Sequence, residues 1–347
     1  MPADDDRTAA WRIDAADYPA DGPRAAQLRF AVGYAVLAPS GHNTQPWRFA
    51  VAGDTVAVRA DRTRALPVAD PDRRELVISC GAALFHLRVA LHRFGHAAAV
   101  TPLPDPADPD LLAVVRVEGP AAPDAGAQAL FEAIPQRHTN RAPFDDRPLP
   151  ADLRGRLQDA AAAEGACLAL VDRPEQRERL AGLVAAASRR QMADPAFRAE
   201  LARWMRPHNS RRGDGLHTDV LGMPALLSYV LPALVRRIDT GRSWARRDAG
   251  IAAAGPVLAV VGSDGDAPAD WLAAGQGLAH LLLAAAAAGV SASYLNQAVQ
   301  DPDGRRGVAA AAPGAGTPHL LLRLGYGPPA PPAPRRPPAE VLTGEPA

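Results

Sequence analysis

Four short segments hold the residues whose types and spacing could do chemistry. Between Ala38 and Phe49, the run APSGHNTQPWRF gathers Ser40, His42, Asn43, Thr44 and Gln45 in a loop that Gly41 and Pro46 keep irregular. Hydroxyl, imidazole and amide groups in one loop suit a planar heterocycle with donor and acceptor edges; a helix end with turn-forming side chains has the same composition. Between Gln136 and Phe144, QRHTNRAPF puts Arg137, His138, Thr139 and Arg141 within five residues. Two guanidiniums, an imidazole and a hydroxyl can hold a phosphate through charge-assisted hydrogen bonds. GVSASYLNQAVQDP, from Gly289 to Pro302, follows an apolar run and presents Tyr294, Leu295, Asn296 and Gln297. Finally, LLLRLGYGPPAPPAPRRPPAEV carries Arg323 in a strand-like run and the pair Arg335 and Arg336 in a proline-rich, extended tail. His208 and His217 flank RRGDG without metal-ligand spacing and read as surface or cover residues. No glycine-rich dinucleotide or P-loop sequence is present, so neither of those nucleotide folds is supported.

These segments need elements to position them. From Arg24 to Ala38, Leu28, Val32, Ala35 and Val36 recur at helical spacing and the run stops at Pro39, so a helix delivers the amide-rich loop. WRFAVAGDTVAVRAD alternates about a Gly-Asp turn and predicts a hairpin. A long helix from about Asp72 to Phe94 follows, then strands near Ala97–Thr101 and Leu111–Val117 and a short helix at Ala125–Ile134. After the RHTNR loop a second series begins: a helix from Ala151, a strand at Cys167–Val171 and a helix at Pro174–Met192. An irregular stretch, Asp194–Gly250, interrupts it before the strand GPVLAVVGS, a helix at Trp271–Ala288 and the strand HLLLRLGYG.

Laying Cys80–Gly95 over Ala274–Gly289 without gaps gives six identities in sixteen positions: Gly81/Gly275, Leu84/Leu278, His86/His280, Leu87/Leu281, Ala90/Ala284 and Gly95/Gly289. The chain is therefore expected to be duplicated, with halves at 24–134 and 135–347 after an N-terminal extension, 1–23. The second half then includes the insertion, 194–250, and the tail, 328–347. Such a chain can build within itself the site that a homodimer builds at its two-fold interface.

Composition sets the outer limits. Of 347 residues 48% are hydrophobic and 22% charged, the balance of a globular protein. All 38 basic residues are arginine, matched by 38 acids and interleaved with them, so no nucleic-acid footprint is present. Cys80 and Cys167 lie in apolar periodic segments and read as buried structural thiols. The acidic, polar start lacks the pattern of a signal peptide, which predicts a cytoplasmic protein. GLAHLLLAAAAAGVSASYL holds His280 and ends in a Gly/Ser loop, so it reads as a buried helix, and no membrane partner is expected.

The amide-rich loop resembles the PS-x-x-N-x-Q-P-W signature of the FMN-dependent nitroreductase family, and its fuller S-x-H-N-T-Q-P-W form is similar to the Acg-like branch. QRHTNR resembles the family's R-R-S-x-R element, GVSASYLNQ its G-L-x-S loop, and LGYG with the following arginines its C-terminal strand and tail. The resemblance implies an α+β nitroreductase-like fold, two fused sheet-and-helix halves forming an internal pseudo-dimer, with FMN between them. It implies Ser40, Gly41, His42, Asn43 and Gln45 on the cofactor, and Arg137, His138 and Thr139 on the phosphate. Arg141 would sit at the pyrimidine edge and Tyr294, Leu295, Asn296 and Gln297 along the isoalloxazine, with main-chain groups of Asn296 and Gln297 facing N5 and O4. Arg335 and Arg336 would close on the phosphate. Where many relatives have lysine near N1 and O2, this lysine-free chain offers Arg141, whose permanent charge favours an anionic reduced flavin. The amide-rich loop occurs only in the first half and the other three elements only in the second, so one complete site per chain is expected.

The implied reaction takes electrons from NAD(P)H through FMN to a small nitroaromatic, quinone or other conjugated acceptor, with no side-chain acid or base required. Two alternatives stand beside it: a flavin-sequestering protein with little turnover because a lid covers FMN, and a flavin enzyme acting on a specialised metabolite. The insertion, with Trp204, Met205, Met223, Leu227 and Tyr229, reads as a lid or as a dimer contact, so the chain is a monomeric pseudo-dimer or a homodimer. As a lid, it should be replaceable from Arg206 to Tyr229 without loss of FMN.

Overall fold

The computed structural model describes residues 6–122, 124–220, 224–239, 241–253 and 255–344; Met223 of the expected lid lies outside them. Helical spacing of apolar residues gives α1 (Arg24–Ala35), which Pro39 cannot continue. The hairpin forms from β1 (Trp47–Ala52) and β2 (Thr55–Ala60), with Gly53 turning the chain at φ 55°. Then come α2 (Arg74–Arg93), β3 (His96–Pro102), β4 (Leu111–Pro120) and α3 (Ala125–Ala133). The second series opens with α4 (Ala151–Ala162), β5 (Cys167–Val171) and α5 (Pro174–Ala193). In the insertion lie α6 (Pro195–Trp204), the parallel pair β6 (Met205–Arg206) and β7 (Leu216–His217), α7 (Ala225–Arg237) and α8 (Gly241–Ala253). The series resumes with β8 (Val257–Ser263), α9 (Pro268–Ala287), β9 (Ser291–Tyr294), α10 (Gln297–Gln300), α11 (Pro302–Ala311) and β10 (Thr317–Gly325). The tail ends in α12 (Pro338–Val341) and β11 (Leu342–Thr343).

Two sheets result. One has the order β11-β1-β2-β4-β3, the other β5-β8-β10-β9. Pairing is antiparallel in both except that β11 joins β1 in parallel, Leu342 opposite Phe49. The tail, which follows the second series in sequence, thus completes the sheet of the first. In the second sheet, apolar clusters form on both faces, so β8 is buried at every position and β10 at nearly every one.

The halves meet where α2 crosses α9. A side chain at Gly81 would lie 2.4 Å from the Leu272 carbonyl, and one at Gly275 would lie 2.1 Å from the Ile78 carbonyl. Leu272 and Ile78 each stand three residues before the opposing glycine, so the contact is reciprocal, as at a two-fold interface. The exchange extends to the cores: Ile78 belongs to the cluster under the second sheet, and Leu272 to the cluster under the first. Each leucine fully buried in such a seam contributes about 1.5–3 kcal/mol. Among the described residues only α2 is long and apolar enough to cross a membrane, and it is the core helix of the first half. Cys80 is buried there as expected, but Cys167 is only half-buried, because β5 is an edge strand; its thiol faces Asp264.

Candidate functional site

The end of α1 and the start of β1 hold the amide-rich loop in a conformation that ordinary residues avoid. His42, Asn43 and Gln45 have φ of 47°, 53° and 52°, each left-handed and each costing roughly 1–2 kcal/mol. Hydrogen bonds over-determine the strain. The Gln45 amide donates to Ser40 Oγ (2.9 Å), and the Gln45 side chain donates to the Gly213 carbonyl (2.7 Å) while accepting from the Arg336 amide (2.8 Å). Asn43 Nδ2 donates to the carbonyls of Gly215 (3.1 Å) and Pro334 (3.0 Å), and its Oδ1 accepts from Arg335 (3.0 Å). Gln45 is fully buried and stands outside the cavity lining, as does Arg336, which is tied to the Gln45 and Glu340 carbonyls. The two side chains expected on a cofactor here are framework. What the loop presents to space is Ser40, Gly41, His42 and Asn43.

That space is a cavity of about 280 Å³ between the amide-rich loop, the Thr139–Arg141 segment and the turn from β9 into α10. A second cavity, of about 230 Å³, shares Thr139 and Tyr294 as walls and is lined by Arg137 and His138. Around this common wall the charge is one-sided. Arg137 and Arg335 are each 5% exposed, and both donate to the Leu37 carbonyl, at 3.1 and 3.4 Å. Neither has a carboxylate partner among the described residues, and the Nε of each has no hydrogen-bond partner there. Burial, then the like charge of Arg137, pulls Arg335 down to about 9. Burial likewise pulls His138 down to about 4 and pushes Tyr294 up to about 12, and the Tyr294 hydroxyl and His138 Nδ1 are also without partners. Trp11 of the N-terminal extension caps this end, its ring 5.1 Å from the Arg335 guanidinium and edge-on to His138.

Arg141 lines the first cavity without a hydrogen-bonding partner among the described residues. Burial and the neighbouring Arg247 lower it to about 10, so it stays charged at neutral pH, whereas His42, lowered to about 4 by burial and then by Arg141, stays neutral. Arg323 serves the site indirectly: buried in β10, it donates to the Asn140 and Ala142 carbonyls and lies over Phe144, fixing the loop that carries Thr139 and Arg141.

On the other side stands the turn 294–297. Leu295 is core, its amide bonded to the Leu321 carbonyl. The Asn296 carbonyl accepts from the Val299 and Gln300 amides, which leaves the N–H groups of this turn as donors. Gln297 donates to Asp248 and its Oε1 has no partner. Sequence reasoning missed the carboxyl at this wall. Glu75, in the first turn of α2 and 5% exposed, accepts from Gln300 (2.9 Å) and Asn296 (3.4 Å) and borders the cavity beside Gly41. Burial, then the Asp70 carboxylate, pushes it up to about 7, against the pull of Arg74. The available signal was a glutamate entering an apolar helix directly from a charged turn, a position that ordinary helix-start rules absorb without remark.

The insertion roofs the cavity with Phe197, Leu201, Leu216, His217 and Trp244, joined by Met192 at the end of α5. Of the residues expected to cover it, Trp204 and Met205 instead pack inside the insertion's own cluster, and Leu227 and Tyr229 face solvent. His217 is buried and bonded to Arg7 and to the Arg212 carbonyl. The insertion also holds what it covers. Gly213 and Gly215 supply carbonyls to Gln45 and Asn43, and between them Asp214 accepts from Arg206, Arg212 and Arg64. Replacing Arg206–Tyr229 would remove these anchors, so the expected separation between covering and holding does not stand.

No family model matches the chain. A Mycobacterium tuberculosis (strain H37Rv) protein named provisionally as an NAD(P)H nitroreductase is 33% identical over 329 residues, 92% of each chain. Another from the same strain, named provisionally as the NAD(P)H nitroreductase acg, is 31% identical over 325 residues, 91% of this chain and 95% of the relative. Among solved structures, the FMN-dependent nitroreductase NfnB from Mycobacterium smegmatis in complex with NADPH is 18% identical, with 58% of this chain and 88% of that one covered at a TM-score of 0.37.

Proposed function

This chain belongs to the nitroreductase family, and from that premise we propose that it binds one FMN across the two cavities and passes electrons from NAD(P)H to a small conjugated acceptor. The observation that carries the reading is the Arg137–Arg335 pair, two buried guanidiniums converging on one carbonyl with no acid beside them. A phosphate supplies what that pair lacks, through charge-assisted bonds of 1.5–3 kcal/mol or so each. Thr139 adds a hydroxyl on the wall common to both cavities. When bound, FMN would accept a hydride from a nicotinamide and return electrons to the acceptor. The chain's own groups bind and tune it: Arg141 places fixed positive charge at the ring end, the strained loop offers Ser40 and neutral His42, and the turn at Asn296 and Gln297 offers amide donors. Glu75, held protonated by burial through part of the neutral range, is the group able to keep a proton at that wall.

The test is the flavin released from a known amount of fully loaded chain. One FMN per chain is expected, since the amide-rich loop and the arginines occur once each; a ratio near two overturns the single-site reading. The roof formed by α5, α6 and the β7 region favours a second reading, a protein that keeps FMN from nicotinamide. Anaerobic mixing separates the two. Bleaching by NADH or NADPH supports turnover, and bleaching by dithionite alone supports sequestration.

A further inference from the structure

Helix α7 is apolar on nearly every side but buries only a narrow stripe, Ser228, Leu231 and Val235, against the insertion. Of the seven large apolar side chains exposed among the described residues, six lie here: Leu226, Leu227, Tyr229, Val230, Leu234 and Ile238. Leu226 is 89% exposed. A soluble surface scatters such residues singly, so their concentration on one helix marks a surface that something covers. The stripe ends in a basic cluster. Arg236 and Arg237 close α7, and Arg242 and Arg246 open α8; all four are exposed and none has an ion-pair partner among the described residues. The negative end of α7 accounts for the first two, but Arg242 sits in the first turn of α8, where helix electrostatics disfavours it. Asp239 is the one exposed acid between Ala225 and Ala253, in a chain whose overall charge is zero.

We propose that α7 and the α7–α8 junction dock this protein on an anionic lipid bilayer, the leucine, valine and tyrosine side chains entering the acyl boundary and the four arginines meeting the headgroups. An in-plane helix needs this combination of apolar face and basic flank. A second copy of the chain fits less well, because two copies of this patch bring eight exposed arginines and only two exposed acids to the contact. The expectation of no membrane partner concerned spanning segments, and a surface helix is a separate case. The proposal stands apart from the flavin reading, since none of these side chains borders the cavities.

The experiment is co-sedimentation of the full chain with vesicles of phosphatidylglycerol and phosphatidylcholine in equal parts, against phosphatidylcholine alone. Binding to the anionic vesicles, weakening with salt, is expected; Leu226→Glu with Val230→Glu should lower the partition coefficient roughly tenfold or more, and Arg242→Ala with Arg246→Ala should weaken it less. These exposed positions should leave the melting curve and FMN content unchanged. A Tyr229→Trp variant gives a second readout, fluorescence quenched by brominated acyl chains. No binding to anionic vesicles, binding indifferent to both double variants, or an unquenched tryptophan overturns the proposal. So does self-association that Leu226→Glu with Val230→Glu dissolves without any vesicle binding.

Discussion

Two groups of arginine lie on either side of the amide-rich loop and differ in one respect. Around Asp214, the guanidiniums of Arg64, Arg206 and Arg212 share a carboxylate. Burial alone would raise Asp214, yet hydrogen bonds from Arg212 and Arg206, with the charge of Arg64, hold it far below the usual carboxylate range. Among the described residues Arg137 and Arg335 have carbonyl oxygens only, those of the backbone and of the Asn43 side chain. The first group is complete within the folded chain. The second leaves buried positive charge at the edge of the cavities that no acid among the described residues offsets. In a chain whose basic residues are all arginine, the residue type carries no information about function, and the identity of the partner does.

That contrast can be broken in order of expected effect. Removing the shared acid, Asp214→Ala, strands the guanidiniums of Arg64 and Arg206 and should cost about 3–5 kcal/mol of stability, read in denaturant melts, with loss of FMN as the loop anchors go. An unchanged melt would place the cluster among the inert surface pairs. Arg137→Ala and Arg335→Ala should do the reverse: apo-protein melts equal to or above the parent, with FMN affinity weakened by about 1.5–3 kcal/mol each. Equilibrium dialysis decides this, and parental affinity in both variants would refute the phosphate seat. Arg141→Ala should also weaken FMN binding, with a larger effect on the flavin reduction potential than the other two.

The smallest effect belongs to Glu75. Its folded pKa is raised, so ionisation is disfavoured in the folded state: relative stability is greatest below the unfolded value and falls as pH rises through about 7. Apo-protein melts should therefore lose on the order of 1 kcal/mol between pH 5 and 7, and Glu75→Gln should flatten that slope. A variant with the parental slope would assign the titration to another group.

Much of this was legible in the residues. Period and punctuation gave the hairpin, α2, β5 and α9 within a few positions, because those segments are long, apolar and bounded by Gly or Pro. The helix alignment identified the two glycines that meet at the crossing. What could not be read was partnership across distance. Asn43 and Gln45 look like ligand amides in the sequence, yet their partners are backbone groups of the insertion and the tail and the Arg335 guanidinium. Glu75 looks like an ordinary first-turn acid until α2 is buried at the point where Gln300 and Asn296 arrive. Trp204 and Met205, read as part of a lid, instead pack in a cluster with Leu66, Ala69 and Met192, for the same reason: local pattern does not say against what an apolar side chain will pack.

The pairing of β11 with β1 has a consequence for how the protein is made. The loop that forms one wall of the site leaves the ribosome early, but Gly213 follows Gln45 by 168 residues and Arg336 follows it by 291. Until those residues emerge, the nascent first half has an unpaired edge strand and a strained loop without its anchors from the insertion and the tail. The first half can collapse around α2 during synthesis, but the proposed flavin seat matures only after Arg336 and β11 have emerged and that strand has closed. Extensions at the C-terminus should accordingly yield soluble chain poor in FMN, and extensions at the N-terminus should be tolerated better.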